Sequence, residues 1–354
     1  MGSEPLSPKG PSGLPLGNPN PEVVLFFEEV ERVSESDRAE QPKYWVDVEG
    51  SENHRAQLDL IPPGSRVLEI GAGPGHMTRA LARRACIVTA VERDEALAAS
   101  ARHACERVVV VDVESQDFEG RLGEERFDIV LLGDVLEHLK APEDFLQLLR
   151  CRLTSGGCLV VCLPNVAHGA LRLSLLDGRF DYCAEGLLDQ THLRLFTLSS
   201  LLKTFRAAGY VVSDLRRIRR GLFATEIPLE PASIPADALS FVCRDPEAAT
   251  YQFVFRARPE GLAGSGHTDT MAMAGAPSDG HFTTAVLNDY ERWGRESLFG
   301  KPRDLARARQ LFYRAFRLGP SAWRLSRLCV LFLPAPMIDL LSRLHDRVRR
   351  RRAR

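Results

Sequence analysis

Short apolar runs alternate with amphipathic segments from about residue 66 to residue 164. Strands that are buried on both faces are typically near-continuous apolar runs, and five such runs occur here: RVLEI, CIVTAVE, RVVVVDV, FDIVLLG and CLVVCLP. The segments between them, such as HMTRALARRA and DEALAASARHA, predict helices. This alternation predicts a doubly wound α/β fold with a mostly parallel sheet that is covered by helices on both faces.

The same pattern continues toward residue 259. A helix is predicted from about Pro142 to Leu153, followed by a turn at residues 155–157 (SGG). Thr197 is a suitable N-cap for the helix LSSLLKTFRAA, and Gly209 stands where a left-handed C-terminal cap is favoured. Two further strands, YVVSDLRRI and TYQFVFRAR, would complete a seven-stranded sheet.

The composition along the chain divides it into four segments. Residues 1–21 are rich in Pro, Gly and Ser and predict a disordered tail, and residues 22–259 form the α/β domain. Residues 260–282 are small, polar and glycine-rich, which is typical of a flexible linker. Residues 283–354 predict a helical appendage with an arginine-rich end.

Net charge and hydropathy favour a cytoplasmic protein. The 354 residues carry a formal net charge of −1, and no apolar run approaches the roughly 18 residues that span a bilayer. Seven arginines lie between Arg343 and Arg354. A solvated basic end is the favoured interpretation, and contact with an anionic membrane surface or an acidic partner is the alternative. Nucleic acid is disfavoured because no aromatic residues interleave with the arginines.

A glycine-rich loop follows the first apolar run in VLEIGAGPGHMT. Glycines let the backbone approach a ligand, and the next helix offers its N-terminal amides. Gly71, Gly73 and Gly75 are evenly spaced, whereas a dinucleotide fingerprint has its third glycine where this chain has His76. The loop therefore predicts a nucleoside-type cofactor site, and a tight strand-to-helix turn without a ligand is the alternative.

Acidic residues end the next two predicted strands. Glu92 can accept hydrogen bonds from both hydroxyls of a ribose. Asp112 can accept from an adenine amino group, while the backbone amide of Val113 can donate to a ring nitrogen. Each acid alone would more often be a solvated strand end, but the two together with the glycine loop indicate an adenosine site.

With these motifs, residues 43–258 resemble the class I S-adenosylmethionine-dependent methyltransferases, in particular small-molecule O-methyltransferases. The resemblance implies a sheet with strand order 3-2-1-4-5-7-6 and an antiparallel seventh strand. It also implies S-adenosylmethionine as the cofactor. The residues implied to contact it are Glu69, Gly71, Ala72, Gly73 and Gly75 for the methionine part, Glu92 for the ribose, and Asp112 and Val113 for the adenine.

The segment DVLEHL follows the fourth predicted strand and brings Asp134, Glu137 and His138 to spacings of i, i+3 and i+4. In a helix these side chains would project from one side of its first turn. Asp134 is a candidate both for catalysis and for contact with the cofactor, since ligands bind beyond the carboxyl ends of such strands. His138 is the candidate general base, because imidazole titrates near neutrality.

A divalent metal is a second hypothesis for this segment, with His192 as a distant fourth ligand of magnesium or manganese. A similar acid-x-x-Glu-His segment binds such a metal in ubiquinone-biosynthesis O-methyltransferases and small-RNA 2'-O-methyltransferases. Those families have glutamate where this chain has Asp134. The third, structural interpretation is that Asp134 caps the helix, Glu137 is solvated and His138 packs against the sheet.

Residues 165–196 are expected to form the acceptor pocket. The segments PNVAH and LLDGRFDYCAEGLLDQTHLRLFT resemble bacterial methyltransferases that accompany glycosyltransferases in glycan or natural-product pathways. The expected pocket residues are polar Asn165, His168 and His192, with Phe180, Tyr182 and Phe196 as walls.

The favoured function is methyl transfer from S-adenosylmethionine to an oxygen of a small molecule, such as a sugar, a phenol or a natural-product intermediate. Pathway enzymes such as glycosyltransferases are possible partners. Two other classes stay open: an RNA or protein methyltransferase, and a non-catalytic cofactor-binding scaffold that acts through its C-terminal helices.

Overall fold

The computed structural model describes residues 50–261, 280–299, 304–321, 324–325, 328–329 and 331, and only the backbone of residues 280–282 and 299. The predicted tail at residues 1–21, nearly all of the predicted linker and the arginine-rich end lie outside the described residues. The boundaries between the four predicted segments therefore stay predictions.

Seven strands form one sheet with the order β3-β2-β1-β4-β5-β7-β6. Strand β7 pairs antiparallel with both β5 and β6, and the other described pairs are parallel. The strands are β1 (Arg66–Ile70), β2 (Ile87–Glu92), β3 (Arg107–Val110), β4 (Phe127–Gly133), β5 (Leu153–Pro164), β6 (Tyr210–Arg219) and β7 (Thr250–Pro259). The predicted fold class and strand order are confirmed.

Ten α-helices lie in the described ranges. They are α1 (Glu52–Asp59), α2 (His76–Arg83), α3 (Glu95–Ala101), α4 (Phe118–Leu122), α5 (Pro142–Leu149), α6 (Gly169–Leu176), α7 (Leu198–Ala207), α8 (Ala236–Cys243), α9 (Gly280–Phe299) and α10 (Leu305–Leu318). Thr197 caps α7 in a capping box with Ser200, as its position predicts.

Two predicted boundaries differ from the structure. Helix α5 ends at Leu149 and continues as a 3₁₀ turn over Arg150–Arg152. The predicted separate turn at residues 155–157 is a bulge within β5, because Leu153 pairs with Phe127 while Cys158 pairs with Ile129. A side chain at Gly157 would bring its Cβ to 2.9 Å from the Phe127 carbonyl oxygen, so glycine permits the strands to pass this closely.

Helices α9 and α10 pack against the segment between β6 and β7, which includes α8. Leu311 and Ala315 of α10 are buried in one apolar cluster with Leu239 and Val242 of α8. Tyr290 of α9 is fully buried in the same cluster. The apolar face of α10 therefore covers part of the α/β domain. No helix in the described ranges is long and apolar enough to cross a membrane.

Candidate functional site

The glycine-rich loop joins β1 to α2 at the carboxyl edge of the sheet, where ligands bind in folds of this type. Gly71, Gly73 and Gly75 have positive φ angles of 72°, 53° and 82°. The amides of Gly71 and Ala72 donate to the Val91 carbonyl oxygen at 2.8 and 3.1 Å, which ties the loop to the end of β2. The loop thus crosses the ends of two strands before it enters α2.

At two of these positions, both the positive φ angle and the close approach of neighbouring atoms favour glycine. A Cβ at Gly75 would lie 2.9 Å from the Cα of Ala101 in α3. A Cβ at Gly71 would lie 3.2 Å from a methyl group of Val135, which places the loop directly beside the segment that follows β4. Gly73 has no described heavy atom within 4 Å of its Cβ position, so its side faces open space.

Glu92 ends β2 with its side chain against the loop. One carboxylate oxygen accepts from the Gly73 amide at 2.8 Å, and the other accepts from the Asp94 amide at 2.9 Å. Each oxygen retains a second lone pair. Glu92 therefore shapes the loop, and its contact with a ribose stays a prediction.

Glu69 is buried at the end of β1, where its carboxyl oxygen accepts from the Thr78 hydroxyl at 2.7 Å. Burial raises the pKa of Glu69 to about 7, while the Thr78 hydrogen bond and the Arg79 charge oppose this rise. The group thus titrates near neutrality beside the loop. Its predicted contact with the methionine part of a cofactor stays a prediction.

Asp112 lies two residues beyond the end of β3 and is exposed. Its carboxylate accepts from the Glu114 amide at 2.9 Å, and Val113 is half-buried against the core. The Val111 amide donates to the Glu92 carbonyl oxygen at 3.1 Å, so the ends of β2 and β3 are adjacent. This placement is compatible with an adenosine that spans the two strand ends.

The segment after β4 does not form the predicted first turn of an α-helix. Asp134 has a φ of +55°, and a 3₁₀ turn follows over Leu136–His138. The Asp134 carboxylate accepts from Gln252 Nε2 at 2.8 Å and caps no helix. Burial raises the pKa of Asp134 to about 6. The left-handed backbone at Asp134 breaks the helical geometry that the spacing predicts, while the charge of Asp134 still acts on Glu137.

Glu137 is fully buried, and neither carboxyl oxygen accepts a hydrogen bond from any described residue. Its main-chain oxygen accepts from the amides of Leu193 and Arg194 at 2.7 and 2.9 Å. Burial, and after it the charges of Asp134 and Asp189, raise the pKa of the Glu137 carboxyl group well above its usual value. The interpretation of Glu137 as a solvated residue is wrong.

Two imidazoles face this carboxyl group. One possible ligand atom from each of Glu137, His138 and His192 lies within 4.8 Å of the others, and we call these three residues the Glu–His–His cluster. The two rings pack edge to face, with 4.9 Å between their centroids. His138 is half-buried, and its ring contacts that of His192.

Backbone carbonyls fix the tautomers of both rings. His138 Nδ1 lies 3.1 Å from the Thr191 carbonyl oxygen, and His192 Nδ1 lies 3.3 Å from that of Leu187. A carbonyl oxygen only accepts, so each Nδ1 carries a hydrogen, and a ring in its neutral form then has its lone pair on Nε2. Histidines that bind metals in proteins are typically held in this way.

The Glu–His–His cluster fits a divalent cation by its donor chemistry. A buried carboxylate that accepts no hydrogen bond in the described ranges would be balanced by a positive charge. Two imidazoles with one carboxylate suit manganese, iron or zinc better than magnesium, which prefers oxygen ligands. The predicted inclusion of Asp134 is not supported, because its carboxylate is turned to Gln252.

Three of the predicted pocket residues are structural. Asn165 is fully buried and donates to the Thr250 carbonyl oxygen at 2.8 Å. His168 is fully buried and uses both ring nitrogens, accepting from the Ala170 amide and donating to the Arg220 carbonyl oxygen. Phe196 belongs to the main apolar core. Their burial by distant segments leaves them no surface for an acceptor.

Phe180 and Tyr182 remain candidates for the pocket wall. Their side chains are 38% and 56% exposed and pack edge to face at 5.5 Å. Cys183, the next residue, pairs with Asp189 in an isolated β-bridge. Asp189 lies three residues before His192. The aromatic pair therefore belongs to the same loop as one member of the Glu–His–His cluster.

Sequence reasoning missed Gln252, Thr78 and Asp189. Gln252 meets Asp134 across 118 residues of sequence, so no local pattern connects them. Thr78 lies within the predicted helix α2, where a hydroxyl that faces Glu69 has no distinguishing spacing. Asp189 is buried and accepts from the Thr191 amide at 2.8 Å, which shapes the turn that leads to His192.

A family model of a methyltransferase domain matches residues 28–215 of this chain. The ubiquinone biosynthesis O-methyltransferase of Xanthomonas campestris pv. campestris (strain B100) is 30% identical over 161 residues, which are 42% of this chain and 66% of that protein. The enzyme of the same description from Azotobacter vinelandii (strain DJ) is 31% identical over 157 residues, or 43% of this chain and 67% of that protein. The chain thus spans about two thirds of the length of these relatives.

Among solved structures, the chain is similar to an S-adenosylmethionine dependent methyltransferase from Mesorhizobium loti. It has 16% sequence identity and a TM-score of 0.42, and the match covers 60% of this chain and 99% of that chain. The fold assignment rests on the strand order and pairing rather than on this similarity.

Replacing Gly75 with Ala should destabilise the protein strongly. The new Cβ would clash with Ala101 and would hold alanine at a φ of +82°, at a cost of about 3 kcal/mol. Gly73→Ala is the matched control, since its Cβ position is open and only the backbone penalty of about 1 kcal/mol applies. Urea unfolding of both variants checks this, and equal losses of unfolding free energy would contradict it.

Glu69→Gln should change the pH dependence of stability. The folded-state pKa of Glu69 is raised to about 7, so its ionisation weakens folding as the pH rises from 4.5 through 7. We expect the cofactor-free variant to match the wild type near pH 4.5 and to be more stable at pH 8 by on the order of 3 kcal/mol. Urea unfolding across this range measures the difference. Glu124→Gln, at an exposed position, should show no such trend, and a pH-independent effect of Glu69→Gln would refute the account.

Proposed function

The chain belongs to the methyltransferase domain family, and we propose that it transfers the methyl group of S-adenosylmethionine to an oxygen atom of a small molecule. The observation that carries the proposal is the Glu–His–His cluster, which contains a buried carboxyl group and has two of its three members just after β4, the strand next to β1 and its glycine loop. The acceptor classes that we consider are sugars, phenols and natural-product intermediates.

The cofactor lies, in this proposal, along the ends of β1, β2 and β3. Glu69 and the loop from Gly71 to Gly75 contact its methionine part, Glu92 contacts the ribose, and Asp112 with Val113 contacts the adenine. The positive φ angles of the loop and the hydrogen bond from the Gly73 amide to Glu92 support this arrangement, because they shape the loop before a ligand binds.

An oxygen acceptor fits the chemistry of the Glu–His–His cluster. Methyl transfer from a sulfonium needs an aligned nucleophile and removal of its proton. Glu137, His138 and His192 would hold a divalent cation. A bound divalent cation would lower the pKa of an acceptor hydroxyl. The curated relatives are described as O-methyltransferases, which supports the same choice.

Asp134 has a separate role in this proposal. It lies between the glycine loop, which its neighbour Val135 contacts, and the 3₁₀ turn that carries Glu137 and His138. Left-handed backbone at a residue other than glycine often marks a functional position. We therefore assign Asp134 to alignment of the cofactor against the acceptor and not to the cation.

His138 as a general base without a metal is the second candidate. The observation that favours it is the hydrogen bond of its Nδ1 to the Thr191 carbonyl, since the same tautomer that suits a metal also suits a base. His138 would then take the acceptor proton on Nε2. The buried Glu137 carboxyl group would stay neutral, in line with its raised pKa.

Methyl-labelled S-adenosylmethionine distinguishes the functions. We expect the purified protein to label compounds in a small-molecule extract and to leave total RNA and added protein unlabelled. EDTA should reduce the rate at least tenfold and Mn²⁺ should restore it, because Glu137 and both imidazoles act through the cation. His138→Ala and His192→Ala should each lose at least tenfold in kcat, whereas His103→Ala, at an exposed position outside the cluster, should retain activity.

Each contrary result selects another function. Loss of activity in His138→Ala without any effect of EDTA would exclude the cation and leave His138 as the base. Label that enters only RNA or protein would overturn the small-molecule acceptor. Binding of S-adenosylmethionine without any transfer would favour the scaffold hypothesis.

A further inference from the structure

Glu226 lies in the segment between β6 and β7, and both of its carboxylate oxygens are hydrogen-bonded. Oε1 accepts from the Leu187 amide at 2.5 Å, and Oε2 accepts from the Tyr251 hydroxyl at 2.9 Å. Leu187 belongs to the loop that carries His192, whereas Tyr251 belongs to β7. Glu226 therefore connects this loop to the sheet.

The backbone of Leu187 links Glu226 to the Glu–His–His cluster. Its N–H group donates to Glu226, and its carbonyl oxygen accepts from His192 Nδ1 at 3.3 Å. The Glu226 side chain also occupies the space that a Cβ at Gly186 would need, so it lies directly against the loop backbone. The Leu187 backbone is thus bonded to a carboxylate through its N–H group and to the His192 imidazole through its carbonyl oxygen.

We propose that Glu226 is a positioning residue: it fixes the backbone of Leu187 and thereby holds the His192 ring with Nε2 directed to Glu137 and His138. The inference rests on the proposed function of the cluster. Glu226 itself touches no member of the cluster through a described hydrogen bond, so its effect passes through the backbone of Leu187.

The sheet side of this connection is buried. Tyr251 is buried, and the Arg220 guanidinium lies 4.0 Å from the centre of its ring. Burial and the Glu226 charge raise the pKa of Tyr251, so its hydroxyl stays a donor throughout the neutral range. Leu187 and Ile227 are buried together with Tyr251 in one apolar cluster, which holds the loop and the Glu226 segment side by side.

The C-terminal helices support the same segment a few residues further on. The Tyr290 hydroxyl of α9 donates to the Pro231 carbonyl oxygen at 3.0 Å, and the Arg314 guanidinium of α10 donates to the Ile234 carbonyl oxygen. The helix pair therefore stabilises the segment that carries Glu226. Through these two hydrogen bonds the C-terminal helices contact the segment that positions the Leu187 loop.

The test compares Glu226→Ala with Glu226→Gln and with Glu230→Ala. Glutamine retains an oxygen for the Leu187 amide, and Glu230 is an exposed glutamate in the same segment with no bond to the loop. Glu226 is itself exposed, so all three variants should fold, which thermal unfolding checks. The two readouts are Mn²⁺ affinity, from the electron paramagnetic resonance of free Mn²⁺, and the His192 tautomer, from the nitrogen chemical shifts of the imidazole.

Glu226→Ala should weaken Mn²⁺ binding about fivefold, less than the roughly 10–100-fold typical of groups that hydrogen-bond a ligand directly. It should also convert His192 from the Nδ1–H tautomer to a mixture of the Nδ1–H and Nε2–H tautomers. Glu226→Gln and Glu230→Ala should match the wild type in both readouts. An unchanged tautomer in Glu226→Ala, or an equal change in Glu230→Ala, would overturn the inference. If the wild type binds no Mn²⁺, the cation proposal fails, and the tautomer readout alone decides the role of Glu226.

Discussion

The buried carboxyl group of Glu137 is the constraint on which the site depends. An ionised carboxylate without a hydrogen-bond partner costs several kcal/mol in a protein interior, and the charges of Asp134 and Asp189 add to that cost. The group must therefore keep its proton or be balanced by a cation. His138 and His192 lie where such a cation would bind, and a backbone carbonyl oxygen holds Nδ1 of each ring.

Backbone hydrogen bonds join this constraint to the rest of the site. The Glu137 carbonyl oxygen accepts from two successive amides of the loop that carries His192, which brings the second imidazole to the first. On the other side, Val135 packs beside Gly71 of the glycine loop. The proposed cofactor site and the Glu–His–His cluster are thus parts of one strand-end surface.

The sequence predicts the fold well because the evidence for it is local. Apolar runs and amphipathic segments define each strand and helix, and the family resemblance supplies the strand order, which the pairing of β7 confirms. The spacing of DVLEHL is less informative, because a φ of +55° at Asp134 breaks the helical geometry that the prediction assumes. Asp is one of the few residues that tolerate this backbone, yet nothing in the spacing indicates where it does so.

Tertiary burial explains the remaining differences. Asn165 and His168 have polar side chains in a loop-like stretch, but β7 and the segment after β6 cover them and satisfy their hydrogen bonds. Glu226 belongs to no motif in the sequence, yet its carboxylate accepts a hydrogen bond from a loop residue 39 positions away. Such contacts depend on how distant segments meet, which periodicity and local motifs do not encode.

The central claim is that Glu137, His138 and His192 hold a divalent cation beside the cofactor. Anomalous diffraction from crystals grown with Mn²⁺ and S-adenosylhomocysteine tests it most directly. The account predicts an anomalous peak bonded to the Glu137 carboxylate and to Nε2 of both histidines, with the nucleoside along the ends of β1, β2 and β3. A nucleoside bound there at saturating Mn²⁺, with no peak among these three side chains, would contradict it.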